Sequence, residues 1–195
     1  MRITVVQFFK ALALLLVAGL LPVAAQQAAP SAAHPAPQFM MSIPAFRDTG
    51  NIPVKYTCSA KPKFVSPALA WRNTPKDAAS FTLILHDPDA HPRKGIMDVT
   101  HWIMWNIPAT ATHLPENVPD MAQMADGAIQ GKNIRGVNGY QGPCPPPGKP
   151  HHYTFELYVL DTKLPAGPDA TRADVLKDMD GHIIGKAVYI GMFHR

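Results

Sequence analysis

Acidic, imidazole and phenol side chains stand at the ends of three apolar segments of this chain. Asp87 follows the apolar run 81–85, His101 opens a second run, and His151 and Tyr153 open a third. These side chains supply hydrogen-bond donors and acceptors, and histidine changes its charge near neutral pH. If the ends of the three segments meet at one edge of a β-sheet, they form one small polar pocket.

Recognition of a small anion is the chemistry that this set of side chains favours. Asp87 would hold one imidazole in a chosen tautomer and favour its protonated form. The two histidines and Tyr153 would then present N–H and O–H donors to a phosphate or a carboxylate. Gly139 and Gly142 precede the third segment, where they allow backbone N–H groups to come close. A purely structural hydrogen-bond cluster beneath a loop explains the same spacing.

The first 25 residues have the pattern of a secretory signal peptide. Residues 11–21 are continuously apolar, and Val23-Ala24-Ala25 places small residues before the expected cleavage between Ala25 and Gln26. An uncleaved membrane anchor is the alternative, although the apolar run is short for a membrane span. We therefore expect a periplasmic or secreted protein, with a flexible linker over residues 26–38 and one domain over residues 39–195.

Cys58 and Cys144 are the only cysteines of the chain. An exported protein meets an oxidising compartment, where two cysteines are a candidate disulfide. Two separate buried thiols are the alternative, because the sequence does not give the Cα–Cα distance that a bridge requires.

Other chemistries find weaker support in the sequence. None of the five serines lies in a G-x-S-x-G motif. Cys144 and His151 form a candidate thiol nucleophile pair, but export favours the oxidised and inert state of the cysteine. No histidine or cysteine pair has a close-set metal spacing, and the adjacent His151 and His152 point to opposite sides of a strand. We therefore expect a protein that is not an enzyme, with no catalytic residue, no metal and no cofactor.

The composition favours strands over helices. The chain has 195 residues, enough for one domain with a sizeable core, and 21 prolines, which helix interiors and central strands exclude. Its 18 basic and 14 acidic residues give no reason to expect nucleic acid as a partner. Residues 172–179 have helical spacing between a Thr171 N-cap and Gly181. Apolar runs predict strands near 54–58, 68–71, 81–86, 101–107, 128–134, 153–160 and 183–193. These elements indicate a mainly β fold, a β-sandwich or mixed sheet, with one helix near the C-terminus.

Three motifs follow one another in a fixed order along the chain. The first is Asp-Pro-Asp-Ala at 87–90, and the second is a histidine that opens a strand ending in Asn-Ile-Pro at 106–108. The third is Gly-Pro-Cys-Pro-Pro-x-Gly-x-x-His-x-Tyr at 142–153. This order resembles the phosphatidylethanolamine-binding protein family, also called the Raf kinase inhibitor-like family, and above all its bacterial branch. The resemblance covers residues 39–193, which is essentially the whole predicted domain.

The resemblance implies a β-sandwich with a few peripheral helices and an anion pocket at one end of it. His91 stands where the family usually has a proline. By position, the ligand-binding residues that the resemblance implies are Asp87, His101, Gly142, Pro143, Cys144, His151 and Tyr153.

The leading hypothesis is therefore an exported, non-enzymatic binding protein for a small anionic group: phosphate, a phosphorylated headgroup or a carboxylate. The alternative is an inhibitor or interaction protein that acts on a kinase, a protease or another protein partner. The sequence does not fix the oligomeric state, and a homodimer is one option.

Overall fold

Nine strands and one α-helix make up the part of the chain that the computed structural model describes, residues 37–92, 94–96 and 98–195. The predicted signal peptide and the linker residues 26–36 lie outside the described residues. The helix α1 spans Arg172–Met179. The strands are β1 (Met40–Ser42), β2 (Gly50–Asn51), β3 (Leu69–Arg72), β4 (Ser80–Asp87), β5 (Val99–Pro108), β6 (His113–Leu114), β7 (Ile129–Gln130), β8 (His151–Leu160) and β9 (Ile183–Phe193).

The strands form two sheets. The smaller sheet has the antiparallel order β1-β3-β6, and the larger has the order β2-β9-β8-β4-β5-β7. Every pair in the larger sheet is antiparallel except β2 and β9, which run parallel. The prediction of a mainly β fold with a helix near the C-terminus is confirmed.

The main core lies on the face of the large sheet that meets the small sheet. Alternate residues of β4, such as Phe81, Leu83 and Leu85, enter this core and pack with Leu69 and Trp71 of β3. Their exposure is 5% or less in every case. Burial of each such side chain stabilises the fold by roughly 1.5–3 kcal/mol relative to leaving it in water.

A second apolar cluster covers the other face of the large sheet. Ile84 and Trp105 belong to it, together with Val175 and Met179 of α1. β4 is therefore buried on both faces, which explains why its sequence is mostly apolar at successive positions and does not alternate regularly with polar residues.

The helix α1 begins and ends where the sequence predicts. The Thr171 side chain accepts the backbone N–H of Asp174, and the Asp174 carboxylate accepts the backbone N–H of Thr171 at 2.9 Å. This reciprocal capping box satisfies two N–H groups that a helix start leaves without partners. Gly181 follows the helix with a φ of +81°, a left-handed conformation that favours glycine.

One predicted strand does not form, and another is shorter than predicted. Residues 54–58 contain a 3₁₀ turn, Val54–Tyr56, because Pro53 sets a φ of −59° and its carbonyl accepts the N–H of Tyr56 at 3.0 Å. In residues 128–134 only the strand β7 forms, because Asn133 and Gly136 close a turn through a 2.8 Å backbone hydrogen bond. The strand predicted at 68–71 forms one residue later. No helix in the described ranges is long and apolar enough to cross a membrane.

Candidate functional site

The three polar segment ends do meet at one edge of the large sheet. β4 runs antiparallel to both β5 and β8, so the end of β4 lies beside the starts of its two neighbours. Asp87 continues the alternation of Leu85 along β4, and His151 and Tyr153 continue that of Phe155 along β8. All three therefore fall on the face of the sheet that carries the main core.

His101 reaches the same face because β5 bulges at this residue. Trp102 pairs with Leu85 and Thr100 pairs with His86, which leaves His101 as an extra residue opposite β4. In a regular strand, His101 and Trp102 would point to opposite faces. Trp102 packs in the main core, and the bulge turns His101 to that side as well.

The Asp87 carboxylate holds one of the two imidazoles. Asp87 is 3% exposed, and its Oδ2 lies 2.8 Å from Nδ1 of His151. Its Oδ1 accepts the backbone N–H of Asp89 at 3.0 Å. An ionised carboxylate only accepts hydrogen bonds, so Nδ1 of His151 carries the proton and Nε2 remains for a ligand.

A backbone carbonyl holds the other imidazole. Nδ1 of His101 lies 2.9 Å from the carbonyl oxygen of Gln141, and a carbonyl cannot donate, so Nδ1 of His101 also carries its proton. Burial lowers the pKa of His101, while the bond to Gln141 and the nearby charge of Asp87 act in the opposite direction. The neutral ring therefore presents Nε2 as an acceptor.

Tyr153 lies beneath these groups and not in the wall of the cavity. The residue is fully buried, and its ring meets the His101 ring edge-on with the centroids 5.2 Å apart. Its hydroxyl has no partner of good hydrogen-bond geometry in the described part of the chain. Burial, and then the nearby Asp87 carboxylate, raise the pKa of Tyr153 far above its usual value, so the phenol stays protonated.

The proline-rich loop before β8 is tied down by a disulfide. Cys58 and Cys144 are bridged with a Cα–Cα distance of 5.3 Å, which confirms the predicted pair and removes the thiol nucleophile while the bridge is intact. Gly142 packs closely against residues 56–57, because a Cβ there would lie 3.0 Å from the carbonyl oxygen of Tyr56 and would need the neighbouring backbone to shift. Pro143 accepts the backbone N–H of Cys58 at 3.0 Å.

These groups border a cavity of about 340 Å³. Four of the seven predicted site residues line it, whereas Gly142, Pro143 and Tyr153 lie behind its wall. The four are Asp87, His101, Cys144 and His151. The other lining residues are Ala90, Pro92, Val99, Ile134, Arg135, Gln141, Pro145 and Pro146.

Arg135 is the main site residue that the sequence reasoning missed. It lines the cavity and is exposed, and its side chain has no hydrogen bond or ion pair within the described residues. The irregular stretch 131–139 carries no apolar period, so nothing in the pattern places its side chains. Two basic residues, Lys132 and Arg135, stand before the third motif, and nothing in their spacing tells which of them lines a cavity.

Three other histidines of the polar segments point away from the cavity. His86 faces the opposite side of the sheet, where its Nδ1 lies 2.5 Å from Asp98. His152 pairs with Asp89 on the outer surface at 2.8 Å. His91 is exposed and makes a 3.2 Å contact with the carbonyl of Gly95. In the ranges that the structure describes, no three His, Cys, Asp or Glu side chains are grouped so that they could hold a metal.

The described chain is a two-sheet β domain with a histidine-lined cavity at one end of the large sheet. Comparison with known sequences shows its family. The family model described as phosphatidylethanolamine-binding protein matches residues 42–194. The chain belongs to the phosphatidylethanolamine-binding protein family.

Relatives in archaea and bacteria agree with this assignment. The chain is 47% identical over 151 residues to a UPF0098 protein of Methanothermobacter thermautotrophicus, covering 77% of this chain and 95% of that protein. The crystal structure of Escherichia coli YbcL matches with a TM-score of 0.72 and 29% identity over 82% of this chain and 99% of YbcL. A homologue from Chlamydia trachomatis matches with a TM-score of 0.71 and 34% identity, over 81% of this chain and 98% of the homologue.

Proposed function

We propose that this protein is an exported, non-enzymatic binding protein for a small anionic group, and that the cavity beside Asp87 is its binding site. One observation carries the proposal. Two imidazoles, His101 and His151, each have Nδ1 fixed by a protein acceptor and line the same cavity. Each leaves Nε2 for a ligand, and each becomes a charged donor on protonation.

The size and charge of the cavity suit a phosphate, a carboxylate or a phosphorylated headgroup. A volume of about 340 Å³ lies at the small end of ligand pockets. Arg135 supplies a permanent positive charge to the cavity lining, and its planar guanidinium matches two oxygens of a phosphate or carboxylate.

The composition of the cavity wall supports binding without turnover. Its described residues include no serine or threonine, and its one cysteine is held in a disulfide. A hydroxyl or thiol nucleophile beside a base is therefore missing from this part of the wall. Turnover of an ester or a peptide by the native protein, lost in a His151→Ala variant, would instead make it an enzyme.

Export rests on the predicted signal peptide and is supported by the disulfide. A bridge of this kind persists in the periplasm or outside the cell and is reduced in the cytosol of most organisms. Intact-mass measurement on the exported protein should show a chain that begins at Gln26. A mass that includes residues 1–25 would mean that the protein is anchored in the membrane and not secreted.

A ligand panel tests the binding function directly. The purified exported protein is titrated with phosphate, acetate and phosphorylethanolamine at pH 6, and its thermal unfolding is followed in parallel. We expect saturable binding of at least one of them and a rise in Tm, because only the folded state assembles the site. Absence of binding by all three, together with a specific protein partner in a pull-down, would favour the inhibitor or interaction protein.

A further inference from the structure

The cavity is rich in acceptors and poor in donors. The Nδ1–H groups of His101 and His151 are both occupied, one by a carbonyl and one by the Asp87 carboxylate. With neutral rings, the inner wall therefore offers two Nε2 lone pairs and a carboxylate to a ligand. Gln141 also lines the cavity, and its side chain donates an amide N–H to the carbonyl of Gly142 at 3.1 Å. An anion that brings no proton therefore meets mainly acceptors there. Arg135, which lines the cavity and carries a fixed positive charge, is exposed.

The surroundings of His101 favour its neutral ring. Asp87 at the end of β4 and Asp98 before β5 raise its pKa, but burial lowers it by more, and His86 on the other face lowers it further. Tyr153 of β8 faces the ring as a neutral phenol. His101 therefore enters the complex as a neutral ring at neutral pH, with its one proton on Nδ1 and none on Nε2.

The charged groups around His151 are of both signs. The Asp87 carboxylate binds its Nδ1, and the carboxylate of Asp89 lies nearby on the side of His152. Arg135 and His151 line the same cavity. A proton placed on Nε2 of His151 would have two carboxylates to offset its charge.

We propose that this site, if it is the anion site argued above, binds its ligand together with one proton and therefore selects phosphate and phosphomonoesters over sulfate and phosphodiesters. The proton comes from the solvent and lies between Nε2 of one imidazole and a phosphoryl oxygen. No covalent bond forms or breaks. The complex holds one proton more than the free protein and the free dianion together.

Matched basicity is the physical reason for this selectivity. The last proton of a phosphomonoester is lost near pH 6 and that of imidazole near pH 6.5, so the two groups share a proton at little cost. A sulfate or a phosphodiester has almost no proton affinity at neutral pH, so the imidazole must hold the whole proton. Sulfate nevertheless has the same charge as the methyl phosphate dianion, and neither ion has a hydrogen on its terminal oxygens.

Titration calorimetry with methyl phosphate and with sulfate separates these two cases, because neither dianion carries a hydrogen on its terminal oxygens. At pH 8 we expect methyl phosphate to bind at least about tenfold more tightly than sulfate, the difference of one charge-assisted hydrogen bond. Measurement in two buffers of different ionisation enthalpy should show uptake of close to one proton per methyl phosphate. At pH 5.5, below the usual pKa of free imidazole, the ratio of the two affinities should narrow. Equal affinities at pH 8, or methyl phosphate binding without proton uptake, would overturn the proposal and leave the anion-binding function standing. Failure of both anions to bind at either pH would overturn both.

Two further measurements identify which residues produce the preference for a phosphomonoester. Methyl phosphate should bind more tightly than dimethyl phosphate at pH 8, although both are small enough for the cavity. An Arg135→Gln variant should weaken the binding of methyl phosphate and of sulfate by a similar factor, because this fixed charge does not exchange a proton near neutral pH. Loss of the preference for methyl phosphate over sulfate in Arg135→Gln would place the discrimination at Arg135 and overturn the proposal.

Discussion

At the scale of single residues, the site is asymmetric. Both imidazoles are fixed through Nδ1, but the partner of His151 is the buried Asp87 carboxylate and that of His101 is the neutral carbonyl of Gln141. The carboxylate offsets the positive charge of a protonated ring, and a carbonyl does so only weakly. Each histidine therefore has a distinct role in a complex with an anion.

The position of Tyr153 leads to a test of its role. Because its hydroxyl is buried and the residue does not line the cavity, Tyr153→Phe should leave phosphate affinity within about twofold of the native value, well under the effect of losing one hydrogen bond. Calorimetric titration of phosphate at pH 6 measures this. A tenfold loss of affinity would mean that the phenol does donate to the anion, as the family resemblance implies.

Part of the site could be predicted from residue order, and part could not. Asp87 and His151 follow from strand alternation and from the third motif, since both continue core-facing positions. His101 shares the face of Asp87 and His151 only because β5 bulges there. The alternation of residues along a strand does not reveal where such an extra residue is inserted. Arg135 belongs to an irregular stretch, where no strand or helix period indicates which way a side chain points.

At the scale of elements, three antiparallel strand ends and one loop build the site. β4, β5 and β8 supply the aspartate and the histidines, and the loop before β8 closes one wall through Cys144. The long strands and the helix were predictable because their apolar patterns are strong. The two-residue strands were not, because such short pairings depend on their neighbours and carry little pattern of their own.

Removal of the disulfide should cost both stability and affinity. The bridge joins residues 86 positions apart, so the double variant Cys58→Ala/Cys144→Ala should lose roughly 2–5 kcal/mol of unfolding free energy. Phosphate affinity should fall as well, because Cys144 forms part of the cavity wall. Urea-induced unfolding and phosphate titration of the variant measure the two effects. Unchanged affinity in a folded variant would show that the loop keeps its place without the bridge.

The capping box of α1 should contribute measurably to the stability of the domain. Thr171→Ala removes the acceptor for the Asp174 backbone N–H and should cost about 1 kcal/mol of unfolding free energy. Thr110→Ala is a matched control in an exposed turn and should be close to neutral. Urea-induced unfolding compares the two variants. Equal unfolding midpoints would contradict the role of the cap.

At the scale of the whole molecule, a charged cluster joins α1 to the back of the large sheet. Arg172 pairs with Asp98, Asp98 with His86, and Lys186 with Glu156 at 2.6 Å. Burial alone would raise the pKa of Asp98, but hydrogen bonds from Arg172 and His86 hold it below its usual value of 3.8. Burial would likewise raise the pKa of Glu156, but hydrogen bonds from Lys186 and Tyr158 hold this pKa below its usual value of 4.5.

These shifts predict that acid destabilises the fold. A carboxyl group whose pKa is lower in the folded state stabilises it fully above the unfolded pKa, and this contribution is lost as the pH falls through the folded pKa. His101, whose folded pKa lies below 6.5, adds a loss that begins at higher pH, because the unfolded chain takes up its proton first. The unfolding free energy should therefore fall steadily from pH 7 to pH 3.

Urea-induced unfolding across this pH range checks the prediction. The Asp98→Asn variant should lose less stability than the native chain on acidification below pH 4.5. Asp77→Asn is the matched control, because Asp77 is exposed and has no ion pair within the described residues. Parallel curves for the native chain and Asp98→Asn would contradict the role of the cluster.

Titration of phosphate into the native protein, His151→Ala and His152→Ala at pH 6 tests the anion site most directly. The two histidines are neighbours in β8, but only His151 lines the cavity, while His152 faces outward to Asp89. His151→Ala should lose a charge-assisted hydrogen bond of about 1.5–3 kcal/mol, which lowers the phosphate affinity at least about tenfold. His152→Ala should bind phosphate like the native protein. Equal affinity in all three proteins would mean that the histidines and Asp87 form a structural cluster and not a binding site.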